Sequence, residues 1–477
     1  MIRIRAALDL RRDESGVAMI IAVVLSAVVG TLAVLMLTVG VHTDQATARG
    51  RHFTQSLHVA ESGIEEAIAL IEELEGQLVA NPTTFSSTTE LGDYDVTITK
   101  QSRNRFLIEA VGGVRRGRQL GAERKIQVLM APPLVFDKAL FSYTTVETKN
   151  NDIIDGDVWA NHNVILALGT NVLGSAVAAT GYISLQGGAV VEGDAWSGGF
   201  RAGVREAIAL ENNARIDGDA TASVVNVACV GADNADYKIR INGGGLIGGN
   251  VKTWGTVNNA GTILGGIQQN LCTSAPPTEE LPTFTYSASN YDPATLHEFG
   301  TPGTPSSTAV ADFQSYLSGQ GNSISGTFYV NQADPVNQSV RIDLTGVTIT
   351  GDTTIVTNTP VFTNGVTDAP GLTDAIFTLV STYQPPAGST CDVNQDNSEC
   401  SIHLKNDFSI SGSTAVAVYS PFGPVAVKNN AEQFGAIYAD SIQVKNNQNL
   451  TYDARVDRIV GFGVVTYEIV EWQEVVA

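Results

Sequence analysis

The chain has 477 residues, enough for more than one domain and a large buried core. Its 49 Asp and Glu outweigh 28 Lys and Arg, and the resulting net charge of −21 excludes a nucleic-acid partner that must be met with basic surface. The 47 Gly show no three-residue period, which excludes collagen, and 4 Cys are too few for a disulfide-built scaffold and are not spaced as zinc ligands.

The N-terminus sets the compartment. Arg3, Arg5, Arg11 and Arg12 precede an uncharged run from Val17 to Val41. At ~1.5 Å per residue this run crosses the ~30 Å hydrocarbon core of a bilayer. It also exceeds the apolar region of a secretory signal, about 7–15 residues. Residues 1–16 therefore read as a basic leader and 17–41 as a retained transmembrane helix with lipid as its partner. Only Arg49 and Arg51 follow closely, so the charge bias predicts a single-pass protein, N-terminus cytoplasmic and bulk extracytoplasmic, in the cell envelope.

Beyond the span, Phe53, Leu57, Ala60, Ile64, Ile68, Ile71 and Leu74 recur at steps of three and four, a helix-packing seam opposite a glutamate-rich face. No proline interrupts Val17 to Leu78, which predicts one rod roughly 90 Å long, with a bend near Gly40 or Gly50 as the alternative. Alternating segments from Tyr94 to Lys100, Arg105 to Val111 and Gln119 to Met130, punctuated by Gly112-Gly113, predict a three-stranded meander covering that seam. Residues 42–131 form this unit.

The layout resembles type IV pilin-like proteins, specifically PilX-type minor pilins, over about the first quarter of the chain. Glu14-Ser-Gly-Val-Ala-Met-Ile20 at the membrane entry and Val59-Ala-Glu-Ser-Gly-Ile-Glu65 downstream carry the likeness. The resemblance implies cleavage after Gly16 by a prepilin peptidase, with Val17 as the new N-terminus, and other pilins and pilus assembly proteins as partners. It also departs from the family: the fifth mature residue, usually Glu in pilins and thought to pair with a neighbour's amino terminus, is Ile21.

Further along, a motif of two alternating apolar residues, a polar turn, an apolar residue and a glycine recurs at Val146–Ala160, Ile208–Ala222 and Val425–Ala439. Its turn glycines, Gly156, Gly174, Gly193 and Gly218, return at intervals of roughly 20 residues. Short strands with Asn and Gly corners at that period predict a parallel β-helix, with a β-sandwich as the alternative. The fold class is therefore α+β: a long N-terminal helix on a small antiparallel sheet, followed by a solenoid. Residues 132–270 are its first part. Residues 271–326, rich in proline and with a helix predicted over Ser306–Leu317, are an insertion, and 327–477 are the second part. The stretch from Gly435 to Asp453 also resembles the β-helical domain found behind PilX-type N-termini and bactofilin-like repeats.

Candidate sites are few. Asp155 and Asp157, Glu192 and Asp194, and Asp217 and Asp219 flank turn glycines and could form an acidic column with affinity for Ca²⁺, although Asp also simply suits turns. Asp392, Asn394, Asp396 and Glu399 begin like an EF-hand loop but lack its Gly and closing Glu. Cys391 and Cys400 are disulfide candidates in an exported chain, as are Cys229 and Cys272. Trp159 and Trp196 should face outward, as contact aromatics or beneath the insertion. No Gly-x-Ser-x-Gly, P-loop or His-Glu-x-x-His motif is present, so no catalytic residue and no enzyme is expected.

The favoured reading is a non-enzymatic pilin-like component of a type IV pilus or related secretion system that displays its β-helix for protein or surface interaction. Small residues Gly16, Ala18, Ala22, Ser26, Ala27 and Gly30 would permit close helix packing in lipid. The alternatives are an adhesin or scaffold anchored by one helix, and a glycan-degrading enzyme using Asp155, Asp157, Asp194 or Asp219.

Overall fold

The computed structural model describes residues 3–73, 82–102, 105–116, 119–131, 136–223, 237–335, 340–387, 389, 391–392, 399–405, 412–428, 432–459 and 468–475. It has one long N-terminal helix, a small antiparallel sheet and a large sheet of parallel strands, in two compact units. One unit is Met1–Pro133 with Val465–Ala477, and the other is Leu134–Val464.

In the first unit, helix α1 spans Arg3–Glu73 and stays helical through Gly40 and Gly50, so neither glycine divides it into two helices. Residues 74–81, including the expected end near Leu78, lie outside the described residues. From Met19 to Val41 the apolar side chains are exposed, and this helix is apolar and long enough to cross a membrane. Its hydroxyls turn inward: Ser26 donates to the Ala22 carbonyl at 2.7 Å, and Thr38 and Thr43 donate to Val34 and Val39, each at 2.8 Å. That back-bonding pairs each of these hydroxyls within the helix itself.

The lower part of α1 is buried along Val59, Ala60, Ile64, Ala67 and Ile71, against Val96, Ile98, Ile108, Ile126 and Val128. The sheet has five strands rather than the expected three, all antiparallel, in the order Thr83–Thr88, Asp93–Ser102, Arg105–Arg116, Gln119–Ala131 and Glu468–Val475. Thr83–Thr88 has too few apolar residues to stand out as a strand. Glu468–Val475 comes from the far end of the chain, which corrects the assignment of all of 327–477 to the β-helix. Its pairing is reinforced by Arg124 and Glu474, 2.9 Å apart. Gly112 and Gly113 are a second correction. They lie within the third strand, in register with Arg124 and Glu123, and make no turn. A Cβ on Gly112 would collide with the backbone of Ala60 and Ser56, so the missing side chain is what lets helix and sheet approach.

In the second unit, from Leu140 onward, each strand pairs in parallel with the strand three further along. Three ladders result. One stacks Thr145–Lys149, Asn163–Leu166, Ile183–Leu185, Glu206–Leu210, Lys238–Ile241 and Val257–Asn259. Another stacks Ile153–Asp155, Asn171–Val172, Val190–Val191, Arg215–Ile216, Leu246–Ile247 and Thr262–Ile263. The third stacks Leu140–Ser142, Val158–Ala160, Ala176–Ala178, Ala195–Ser197, Ala220–Ala222, Val251–Thr253 and Ile267–Gln268. The inward residues divide by size. Val164, Ile183, Ile208 and Ile239 fill the first ladder, while Ala176, Ala195 and Ala220 line the third, and all are buried. Large residues on one ladder and small ones on another allow side chains to interdigitate in a narrow core.

The second half does not simply continue the first. After Gln268 the chain runs back along the stack: Thr273 meets Ser223 at 2.8 Å, Glu279 donates its N–H to Asn161 at 3.0 Å, and Tyr286 stacks on Tyr329 at 3.8 Å. It re-enters the parallel sheet at Leu296–Phe299, so the stretch outside the sheet is shorter than the expected 271–326 insertion. Helix α2 spans Ala309–Gly319, starting later than the expected Ser306 because Ser306 forms a bridge with Gln332. Its Ala309, Val310, Phe313 and Leu317 join the core. The strands then climb through Ser323–Val330, Thr348–Thr357, Ala375–Ser381 and Thr414–Lys428 to Glu432–Lys445. That last strand pairs with Leu140–Ser142 and Thr145–Lys149, and Asn449–Thr451 pairs with Ile153–Asp155. The end of the second half thus docks on the start of the first.

Buried Asp152 sits at this joint, accepting the N–H of Gln448 at 3.0 Å and of Lys149 at 2.9 Å. Asn150 donates to Asn446 beside it at 2.6 Å. Burial pushes the Asp152 carboxyl up to about 6 despite its two donors. A group whose folded value is raised favours the folded state most below its unfolded value, and that contribution is lost as the pH rises through 6. The stability of the native chain relative to Asp152→Asn should therefore fall between pH 4 and 7, as read from denaturant midpoints; a pH-independent difference would show that Asp152 does not titrate there. Gly112→Ala should lower stability by about 2 kcal/mol or more through overpacking, measurable by thermal unfolding and by protease sensitivity of the first unit.

Candidate functional site

The Gly-Asp corners are the densest concentration of chemistry-bearing residues in the repeats. Asp157 accepts the backbone N–H of Ser175 at 2.7 Å, Asp194 that of Asp219 at 2.7 Å, and Asp219 that of Asn250 at 2.7 Å. Ser175 takes the same place, its Oγ accepting the Asp194 N–H at 3.2 Å, and Asn250 accepts from Gly266 at 3.0 Å. Each side chain thus reaches one rung along the stack and satisfies a corner amide that strand pairing leaves open. The glycines follow from this geometry. A Cβ on Gly174, Gly218 or Gly249 would fall on the carboxylate oxygen of Asp157, Asp194 or Asp219.

The flanking carboxylates go elsewhere. Asp217 pairs with Arg215 at 2.8 Å and Glu192 accepts from Asn171 at 3.3 Å. The corner N–H of Asn250, together with Lys252, holds the Asp219 carboxyl below its usual range, the opposite of what a general acid needs. No group of three or more potential metal ligands occurs among the described residues.

Cys391 and Cys400 are joined in a disulfide, Cα atoms 4.6 Å apart, packed on Ala426. Asp392 and Glu399 flank it, while Asn394 and Asp396 of the EF-hand-like set lie outside the described residues. Cys272 is also disulfide-bonded, and its expected partner Cys229 lies outside the described residues.

Trp159 and Trp196 are half-buried. Lys138 lies 5.0 Å from the Trp159 ring and pairs with Asp137 and with Glu279 of the returning segment, each at 2.7 Å. The Trp196 indole donates to Ser223, the residue that also meets Thr273. The segment running back along the stack therefore occupies the neighbourhood of both rings.

On α1 the expected seam divides. Ala60, Ile64 and Ile71 are buried by the chain's own sheet, Leu57 and Ile68 are half-buried against it, and Phe53 is exposed with the Arg124 guanidinium 4.6 Å from its ring. The seam is therefore largely consumed within the chain, and the exposed apolar surface of α1 lies above it, over Met19–Val41. Gly16 and Val17 fall within the helix, and Leu74 lies outside the described residues.

Asp194→Ala should cost about 1 kcal/mol by leaving the Asp219 N–H without its acceptor. Gly218→Ala should cost more, because its Cβ would strike the backbone of Gly193 as well as the Asp194 carboxylate. Denaturant unfolding of both variants checks the order, and the reverse ranking would contradict this account of the corner.

No family model matches the chain, and no curated protein matches it. Among solved structures, the competence-associated pilin ComZ from Thermus thermophilus aligns over 89% of this chain and 98% of its own, at 10% identity and a TM-score of 0.18. A superposition that loose assigns neither fold nor function.

Proposed function

We propose that this chain is a membrane-anchored, pilin-like structural component of a type IV pilus or related secretion system, of the PilX type, whose parallel ladders wind as a solenoid displayed outside the membrane. One observation carries the reading. A single unbroken helix exposes apolar side chains over Met19–Val41 and, further down, buries a seam under its own small sheet. The lower seam is taken up by the chain's own sheet, so the stretch over Met19–Val41 is the apolar surface left for packing among like helices. Ala22, Ser26, Ala27 and Gly30 offer the small surface on which such helices approach. The solenoid then acts as a rigid binding surface, with no catalytic role, and other pilins and lipid are the partners of α1.

Ile21 gives weight to a second reading, an adhesin or scaffold whose helix only anchors it, because the carboxylate expected to engage a neighbour's N-terminus is absent. Site-specific photocrosslinking in native membranes separates the two. Probes at Val24 or Leu32 should capture other pilins, while a probe at Ala60 should give only intrachain products. Sequencing of the mature N-terminus should begin at Val17, and Gly16→Leu should leave the leader attached. Capture of lipid alone at Val24 and Leu32, with Met1 retained, would favour the anchor.

A further inference from the structure

Within Leu134–Val464, a cavity of about 460 Å³ is lined by Tyr143, Phe284, Tyr419 and Phe422, with the carboxylates of Glu280 and Asp440. Its volume is in the range of small-ligand sites. Among the described residues that line it, none is basic.

The wall is built by an irregularity in the strand ladder. Between Thr414–Lys428 and Glu432–Lys445 the register runs evenly to Ser420 opposite Ala439, then resumes at Pro424 opposite Ser441. Pro421, Phe422 and Gly423 thus face the single residue Asp440. A bulge of this kind re-aims side chains out of the ladder. It is held in shape, since Ser420 Oγ donates to the Gly423 carbonyl at 2.9 Å. Phe422 is left 58% exposed at the cavity, a cost in water that nothing in the stack requires. Opposite it, the Asp440 carbonyl accepts from Ser142 Oγ at 2.8 Å and from Thr144 Oγ1 and N–H, each at 2.7 Å, which fixes the backbone that carries the carboxylate. Burial holds the Asp440 carboxyl above its usual range against the opposing pull of His162, which does not line the cavity. On the remaining side, the Tyr419 hydroxyl donates to the Pro282 carbonyl and its ring lies 6.4 Å from Phe284, so the returning segment is locked to the stack there.

The same chain already shows what such a combination holds. Lys138 places its ammonium near the Trp159 and Phe141 rings and between the carboxylates of Asp137 and Glu279. Aromatic faces with neighbouring carboxylates are a recognition set for an organic cation, through ring quadrupole and charge together. We propose that the cavity between the Pro421–Gly423 bulge and the returning segment binds an alkylammonium or guanidinium group, stacked on Phe422 and Tyr143 and neutralised by Asp440 and Glu280. The cation arrives either on a free amine or as a Lys or Arg side chain of a partner protein.

The test is calorimetry and ligand-detected NMR on the full-length protein in detergent micelles. Probes are tetramethylammonium, N-acetyl-lysine methylamide, N-acetyl-arginine methylamide and the uncharged N-acetyl-norleucine methylamide. Saturable binding of the charged probes and none of the norleucine amide is expected. Phe422→Ala and Asp440→Asn should each weaken binding by about fivefold or more, and Phe422→Tyr should retain it. Tighter binding of the lysine or arginine amide than of tetramethylammonium assigns the cation to a partner's side chain, and the reverse assigns it to a free amine. Equal binding of the norleucine amide, no saturable binding of any cation, or unchanged affinity in both loss variants would overturn the proposal.

Discussion

A parallel strand ladder leaves an unpaired row of N–H and C=O groups at each edge, and the way this chain covers the edge where its ladders begin governs its architecture. At the Leu296–Phe299 end, α2 is laid across the core with Phe313 and Leu317 buried. At Leu140–Asp155, where the ladders begin in sequence, the edge is covered by Glu432–Lys445 and Asn449–Thr451. The start of the ladders thereby becomes an interior rung. This explains why the chain must turn back after Gln268, and why a buried carboxylate, Asp152, is tolerated at the joint. It accepts an N–H from each side, so one side chain ties together segments almost three hundred residues apart.

The corners obey a second constraint. Strand pairing satisfies the edges of each rung but not the amides at its bends. Asp157, Asp194 and Asp219, with Ser175 and Asn250 in equivalent places, supply those acceptors one rung along. Glycine is required beside them because the reaching oxygen and the glycine backbone of the preceding rung together occupy the volume a Cβ would need. The acidic column thus has a structural cause, and the excess of carboxylates over basic residues reflects in part a means of capping corners. A chain so supplied with carboxylates also has the material for binding cations wherever aromatic faces gather beside them, as at the Phe422 bulge.

Helix α1 joins two environments with different rules. Between Met19 and Val41 it has no internal partner, and its hydroxyls are folded back onto its own carbonyls. From Ser56 onward its face is committed to the sheet, with Gly112 setting the distance of approach. The apolar surface that this helix leaves exposed is thereby confined to its upper part.

The sequence by itself determined what depends on neighbours a few residues apart: the apolar run from Val17, the period of Ala60, Ile64 and Ile71, the alternation in the antiparallel strands, and the Asn and Gly corners. Each is a local pattern repeated often enough to exceed chance, and the pairing of Cys391 with Cys400 across nine residues is of the same kind. The tertiary structure alone decided the long-range choices. Glu468–Val475 is an unremarkable alternating strand whose place beside Gln119–Ala131 no spacing reveals. Gly112 looks like a turn residue until the helix backbone is found against it. The docking of Asn449–Thr451 on Ile153–Asp155, and the meeting of Tyr143, Phe284 and Phe422 in one cavity, depend on where the returning chain re-enters the stack. Every ladder edge offers the same hydrogen-bonding groups, so local sequence does not distinguish one edge from another; only the closure of the whole stack does.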